Sequence, residues 1–222
     1  MNDSILVLAS NSPRRRQMLT WVGWDHIVQP ADIDETPLAG EEPAAYVLRL
    51  AEGKARSVGA QMQTRALVIA ADTTVADGVQ VLGKPADSQE AVAMLKQLRG
   101  RIHQVYTAVA VFDPAGGRLE TDLCVSQVQM RAYSDEEIHS YVASGDALDK
   151  AGAYAIQHQQ FHPVINFNGC FASVAGLPFC HLLRTLKKFD VAPNANIPQT
   201  CQTHFQYSCL IFERVLNGEN VG

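Results

Sequence analysis

Two periodicities alternate along the chain. Residues 5–9 (ILVLA) and 66–71 (ALVIAA) are unbroken apolar runs of strand length, the pattern of strands covered on both faces. Residues 102–112 and 118–130 read as two further strands joined by the turn Pro114-Ala115-Gly116-Gly117, an antiparallel pair. Between these runs the spacing changes to that of helices. Ser12-Pro13 starts one that carries Met18, Leu19 and Val22, and Pro43 starts another with Ala44, Val47, Leu48, Ala51, Ala55 and Val58 on one stripe, ending at Gly59. Asp87 with Glu90, and Ser134 with Glu137, have capping-box spacing for two more, stopped by Gly100 and Gly145. Gly176-Leu177-Pro178 opens a last one with Leu182, Leu183 and Leu186, where Lys187 and Lys188 suit the C-terminal dipole.

Short elements fill the gaps. Asp77-Gly78 lies between two valine-containing stretches and predicts a hairpin. The stretch DKAGAYAIQ (149–157) reads as a loop into a short strand at 153–157. Buried runs, hairpins and helices together predict an α/β or α+β fold around one twisted sheet. From about residue 190 the chain turns polar and loses periodicity, which predicts a C-terminal extension at 190–222 of unknown role, after a main domain at 1–189.

Composition narrows the class. In 222 residues that are 47% hydrophobic there is enough apolar material for one sizeable core. The 18 Lys and Arg against 23 Asp and Glu, net charge -5, argue against a nucleic-acid binder that relies on a basic field. Five cysteines with no paired spacing suit reduced thiols in a cytoplasm, and the first residues read as neither a signal peptide nor a membrane span.

Charge placement raises the functional question. Arg14, Arg15 and Arg16 occupy the first turn of a helix, where the dipole favours anions and each cation costs some tenths of a kcal/mol. An anionic ligand at the backbone N–H groups of that turn would offset the cost. Asp72 closes the buried run at 66–71 and is placed at a strand end, where open α/β sheets bind ligands; a turn-forming aspartate is the plainer alternative. Asp32, Asp34 and Glu35 add loop carboxylates, suited with Asp72 to a hard cation such as Mg²⁺ shared with phosphate. Lys54 borders a buried helical stripe, and with Lys84 and Lys150 it is a candidate phosphate contact. Gln157 can pair both donor and acceptor with a base edge. Walker and dinucleotide glycine motifs are absent. Cys201, His204 and Cys209 lack a fourth ligand at finger spacing, so no structural zinc is expected there.

The ordered set LASNSPRRRQML, DIDET, AEGKA, AADTTV, LGKP, LRGRIHQVYTAVAV, DKAGAYAIQ and VAGLP, over roughly residues 5 to 188, resembles the Maf family of nucleoside triphosphate pyrophosphatases. The resemblance implies an elongated α/β fold like that of inosine triphosphate pyrophosphatases, with a mixed twisted sheet, flanking helices, two lobes and a central cleft. It implies cleavage between the α- and β-phosphates, a divalent metal (Mg²⁺ or Mn²⁺), a homodimer and a cytoplasmic location. Asp72 then matches the proton acceptor and a metal contact, and Glu35 a second metal contact. Ser12, Arg14, Arg15, Lys54, Thr73, Lys84, Lys150 and Gln157 match substrate-binding positions. DKAGAYAIQ is similar to the branch acting on dTTP and UTP, although HQQFHPVINFNGC and FASVAGLP depart from its usual pattern. The family is also linked to inhibition of septum formation, so a non-catalytic division regulator is the alternative, as is a phosphatase releasing orthophosphate.

Overall fold

The computed structural model describes residues 5–63 and 65–222. In chain order the elements are β1 (Ile5–Leu8), α1 (Pro13–Trp21), β2 (His26–Val28), α2 (Pro43–Gly59), β3 (Ala66–Asp77), β4 (Gln80–Leu82), α3 (Ser88–Leu98), β5 (Ile102–Asp113), β6 (Arg118–Met130), α4 (Asp135–Ala143), β7 (Val164–Ile165), α5 (Phe171–Val174), α6 (Phe179–Lys187), α7 (Ile197–Phe205) and α8 (Phe212–Leu216). The predicted starts are built as the residues dictate. Ser12 Oγ accepts from the Arg15 N–H and Pro13 is the first helical residue of α1. Ser134 and Glu137 form a reciprocal capping box on α4. Asp87 caps α3, but Glu90 reaches back to the Ala86 N–H instead of completing a box.

One mixed sheet organises the chain, in the order β2-β1-β3-β5-β6-β7 with β4 also on β3. β1 pairs parallel with residues 66–69 of β3, and β5 runs antiparallel along residues 68–76. Alternation along β3 sends Leu67, Ile69 and Ala71 into a core under α1 and α6, and Ala66, Val68 and Ala70 into a second core under α2. That two-sided burial is why the run is apolar at every position. The far ends of β3, β5 and β6 enter a third core with α3 and α4. The long strands thus span two lobes.

The edge of β3 opposite β5 explains where the cleft lies. β1 covers it up to Ile69, and β4 covers it again from Val75 to Asp77. Residues 70–74 are left unpaired on that side, and side chains from both sheet faces can meet around the gap. No helix among the described residues is long and apolar enough to cross a membrane.

Three expectations are corrected. Asp72 does not end its strand: β3 continues to Asp77, because Thr73 and Thr74 pair with Thr107 and Tyr106. The strand at 153–157 does not form. Gly152 and Ala153 both take positive φ (66° and 60°), and the Ala155 N–H is bound by the Tyr141 hydroxyl instead of a ladder partner. The tail is not without periodicity: Asn196 caps α7, Ile197 and Val215 are buried, and Cys201, Phe205, Ile211 and Leu216 pack on the first core. Arg184 of α6 ties it down, pairing with Asp122 of β6 while donating to the carbonyls of Val215 and Glu219.

A buried histidine makes the second lobe acid-sensitive. His103 is 2% exposed, and a 2.8 Å hydrogen bond joins its Nε2 to the Tyr154 hydroxyl. Burial pulls its pKa from 6.5 down to about 4. The unfolded chain therefore binds the proton first, and stability is lost as pH falls from the unfolded value toward the folded one. The full loss is about 3 kcal/mol, at roughly 1.4 kcal/mol per pH unit. Urea unfolding between pH 7 and 4 should show it, and His103→Gln, which cannot charge, should flatten the dependence; an unchanged slope would remove His103 as its source.

Candidate active site

The gap beside β3 opens into a cleft of about 1210 Å³. Ser12, Arg14, Arg15, Glu35, Lys54, Asp72, Thr73, Lys84, Lys150 and Gln157 all line it. Residues separated by up to 145 positions in sequence, from Ser12 to Gln157, thus share one hollow. Asp32 and Asp34 do not join them; Asp34 instead accepts from the Thr36 N–H at 2.9 Å.

Strand alternation sorts the central groups. Asp72 follows Val68 and Ala70 onto the α2 face, where Lys54 projects from the edge of the buried helical stripe. The Lys54 ammonium lies 2.6 Å from Asp72 Oδ1 and 2.7 Å from Glu35 Oε1. One buried cation therefore bridges two carboxylates. Asp72 is 7% exposed, and this desolvation raises its pKa against the opposing pull of Lys54 and Arg15. Tyr46, two turns before Lys54 on α2, fixes Glu35 by donating to its carbonyl at 2.9 Å. Burial, with Asp72 and Glu35 nearby, pushes the Tyr46 phenol up to about 12.

Thr73 points to the opposite face. Arg15 donates from Nη2 to Thr73 Oγ1 at 3.0 Å and from Nε to the Gly176 carbonyl at 2.8 Å. Thr107 Oγ1 lies 3.0 Å from Thr73 Oγ1 and 2.9 Å from the Ser173 carbonyl. The carbonyl only accepts, so it takes the single Thr107 proton, and Thr73 must donate to Thr107. This directed chain leaves Thr73 Oγ1 an acceptor toward Arg15. The Arg15 guanidinium is desolvated, which lowers its pKa, and Asp72 offsets that.

The three arginines of α1 divide. Arg16 is exposed and outside the cleft. Arg14 faces Gln157, whose carboxamide oxygen, when turned toward the guanidinium, accepts from Nε at 3.1 Å and Nη2 at 3.3 Å. Lys84 is exposed at the cleft rim, and among the described residues it has no ion-pair partner. Lys150 differs from expectation, because its ammonium is held by Asp146 Oδ1 at 2.9 Å and Asp149 Oδ1 at 2.5 Å. Ser12 Oγ is likewise engaged as the helix cap. Sequence reasoning missed Tyr46, the two aspartates on Lys150, and the tail residues His204, Phe205 and Gln206, which reach the cleft through a stack of His204 on Trp21 at 4.5 Å.

The carboxylate pair fits a hard divalent cation. Lys54 uses one oxygen of each carboxylate, Asp72 Oδ1 and Glu35 Oε1, which leaves the second oxygen of each for a cation; Mg²⁺ commonly uses one or two carboxylates and completes its shell with water and phosphate oxygens.

Comparison with known proteins adds the lineage. The family model described as Maf-like protein matches residues 5–189. A Myxococcus xanthus protein named dTTP/UTP pyrophosphatase is 48% identical over 187 residues, covering 84% of this chain and 93% of that one. A Pelotomaculum thermopropionicum protein of the same name is 44% identical over 184 residues, covering 83% and 96%. Among solved structures, the Staphylococcus aureus Ham1 protein aligns with a TM-score of 0.41 and 15% identity over 58% of this chain and 73% of that one. That likeness is too slight to bear weight.

Proposed function

The chain belongs to the Maf-like protein family, and from that premise we propose that it is a nucleoside triphosphate pyrophosphatase that cleaves dTTP and UTP to the nucleoside monophosphate and pyrophosphate. One observation supports this reading above the others: a desolvated carboxylate, Asp72, stands beside Arg14, Arg15 and Lys84 in a single cleft. The sequence resemblance and the names of the relatives agree with it.

In the reaction a water attacks the α-phosphorus, the bond to the α,β-bridging oxygen breaks, and pyrophosphate leaves with that oxygen. Asp72 accepts the proton of the attacking water, a role helped by a pKa raised toward the working range. Lys54 orients the Asp72 carboxylate, and Arg15, fixed by Thr73 and the Gly176 carbonyl, meets charge that builds on the phosphates. Lys84, exposed at the cleft rim, takes the terminal phosphates. Gln157 reads the pyrimidine edge, with Thr73 and Arg14 shaping that side of the cleft. Glu35 and Asp72 would hold the Mg²⁺ or Mn²⁺, which supplies Lewis-acid polarisation of the phosphate and acidified water when bound. The enzyme on this reading is a cytoplasmic homodimer, a state that sedimentation measures directly.

The test is a nucleotide panel with Mg²⁺ or Mn²⁺, assayed separately for pyrophosphate and orthophosphate. Pyrophosphate should appear, fastest with dTTP and UTP. Orthophosphate alone would make the protein a phosphatase, and silence across the panel would leave it a binding protein.

A further inference from the structure

Behind the cleft lies a second cluster that the hydrolysis does not use. Thr73 of β3, Thr107 of β5 and Cys124 of β6 form one cross-strand row on the α6 face of the sheet. Cys170, at the start of α5, and His181 of α6 close over Cys124. The two thiol sulfurs and a ring nitrogen lie within 4.8 Å of one another. His181 is 0% exposed, and neither of its ring nitrogens makes a hydrogen bond among the described residues. Ser173, which lies beside the Cys124 thiol, is equally buried, and its hydroxyl makes no hydrogen bond of normal geometry among the described residues.

Buried polar groups without partners are costly, about 1–3 kcal/mol each, and an unpartnered imidazole and hydroxyl beside two thiols mark a place suited to a polar occupant. Water is a poor match for two sulfurs. A thiophilic metal is a good one: at about 2.3 Å to sulfur and 2.0 Å to nitrogen, a tetrahedral ion draws its ligands to roughly 3.8 Å apart, a contraction of at most 1 Å from the present spacing.

We propose that Cys124, Cys170 and His181 form a buried site for one divalent metal ion of the zinc class, distinct from the carboxylate site in the cleft. On binding, the two thiols release their protons to solvent, His181 coordinates as the neutral ring, and the dication with two thiolates makes a neutral unit suited to the interior. Ser173 Oγ, buried and unpartnered beside Cys124, is the candidate for the fourth position. The ion would clamp α5 and α6 to β6. Because the Ser173 carbonyl anchors Thr107, and through it Thr73 and Arg15, the clamp also braces the cleft.

Sequence spacing hides this set, since its ligands come from three elements. The tail group of Cys201, His204 and Cys209 does not take its place: the His204 ring is stacked on Trp21.

The test uses the full chain produced with Co²⁺ and dialysed. One cobalt per chain is expected, with intense near-ultraviolet thiolate-to-metal absorption that the Cys124→Ser/Cys170→Ser variant loses and the Cys201→Ser/Cys209→Ser variant keeps. X-ray absorption of the zinc-loaded parent protein gives a readout that needs no variant: two sulfurs and at least one imidazole nitrogen in the first shell. An oxygen-only or four-sulfur shell, no thiolate band, a band that survives loss of Cys124 and Cys170, or a protein mass lower by two hydrogens from a Cys124–Cys170 disulfide would each overturn the proposal. None of these outcomes depends on nucleotide hydrolysis.

Discussion

Asp72→Asn should lower kcat by about 10³-fold, the middle of the range that a positioned general base contributes, with the fold preserved. Asparagine keeps the shape of the side chain and leaves an oxygen for the Lys54 ammonium, which also retains Glu35 as partner. What disappears is the capacity to take a proton, together with one of the two carboxylate charges that would hold the metal. KM for dTTP should change little, because Arg14, Arg15 and Lys84 are untouched. The metal-free parent protein carries an independent signature of the same group: direct titration of the Asp72 carboxyl by NMR should place it above the ordinary carboxylate range, since desolvation raises its pKa. Circular dichroism and steady-state kinetics of both proteins, with that titration of the parent, check this. If Asp72→Asn keeps kcat within a few-fold while Glu35→Gln loses it, the base is Glu35 instead.

Much of this site was legible in the sequence, and the gaps have identifiable causes. The arginine-loaded helix start stood out because it violates a dipole preference, and the structure divides it: Arg14 and Arg15 line the cleft, and Arg16 is left to solvent. The run at 66–71 read correctly because helices cover both faces of β3. Its continuation did not. Asp72 looks like a strand-ending or turn residue locally, and its pairing with Ala108, over thirty positions away, carries the strand through it into Thr73 and Thr74. The positive φ of Ala153 left no mark either, because alanine rarely adopts it. For the tail a usable signal existed: Ile197, Cys201 and Phe205 follow each other at four-residue intervals after an asparagine cap, and the polar residues between them masked it. The engagement of Lys150 was legible in part, since Asp146 lies one helical turn before it and Asp149 beside it.

The second large effect is on stability. Lys54→Met should destabilise the protein by about 3 kcal/mol near neutral pH, because removing one partner of a buried pair leaves the other charge uncompensated. That corresponds to a fall in Tm of roughly 10 °C for a chain of this size. Glu35 is half exposed and can turn to water, whereas Asp72 cannot, so the penalty belongs to Asp72. Two further results separate this cause from lost packing of the lysine stem. Adding Asp72→Asn to Lys54→Met should recover most of the stability, since the stranded charge is gone, while activity stays absent. The deficit should also depend on pH with a definite sign. With its pKa raised in the folded state, Asp72 binds its proton more readily folded than unfolded, so stability is retained below the unfolded value near 3.8 and lost as pH rises through the folded one. Removing Lys54 widens that window upward. Thermal unfolding of the two single variants and the double variant between pH 4 and 8 measures all three terms. A deficit that is flat in pH and additive in the double variant would mean that Lys54 matters for its methylenes and not for its charge, and the role of Lys54 in holding the Asp72 carboxylate would have to be given up.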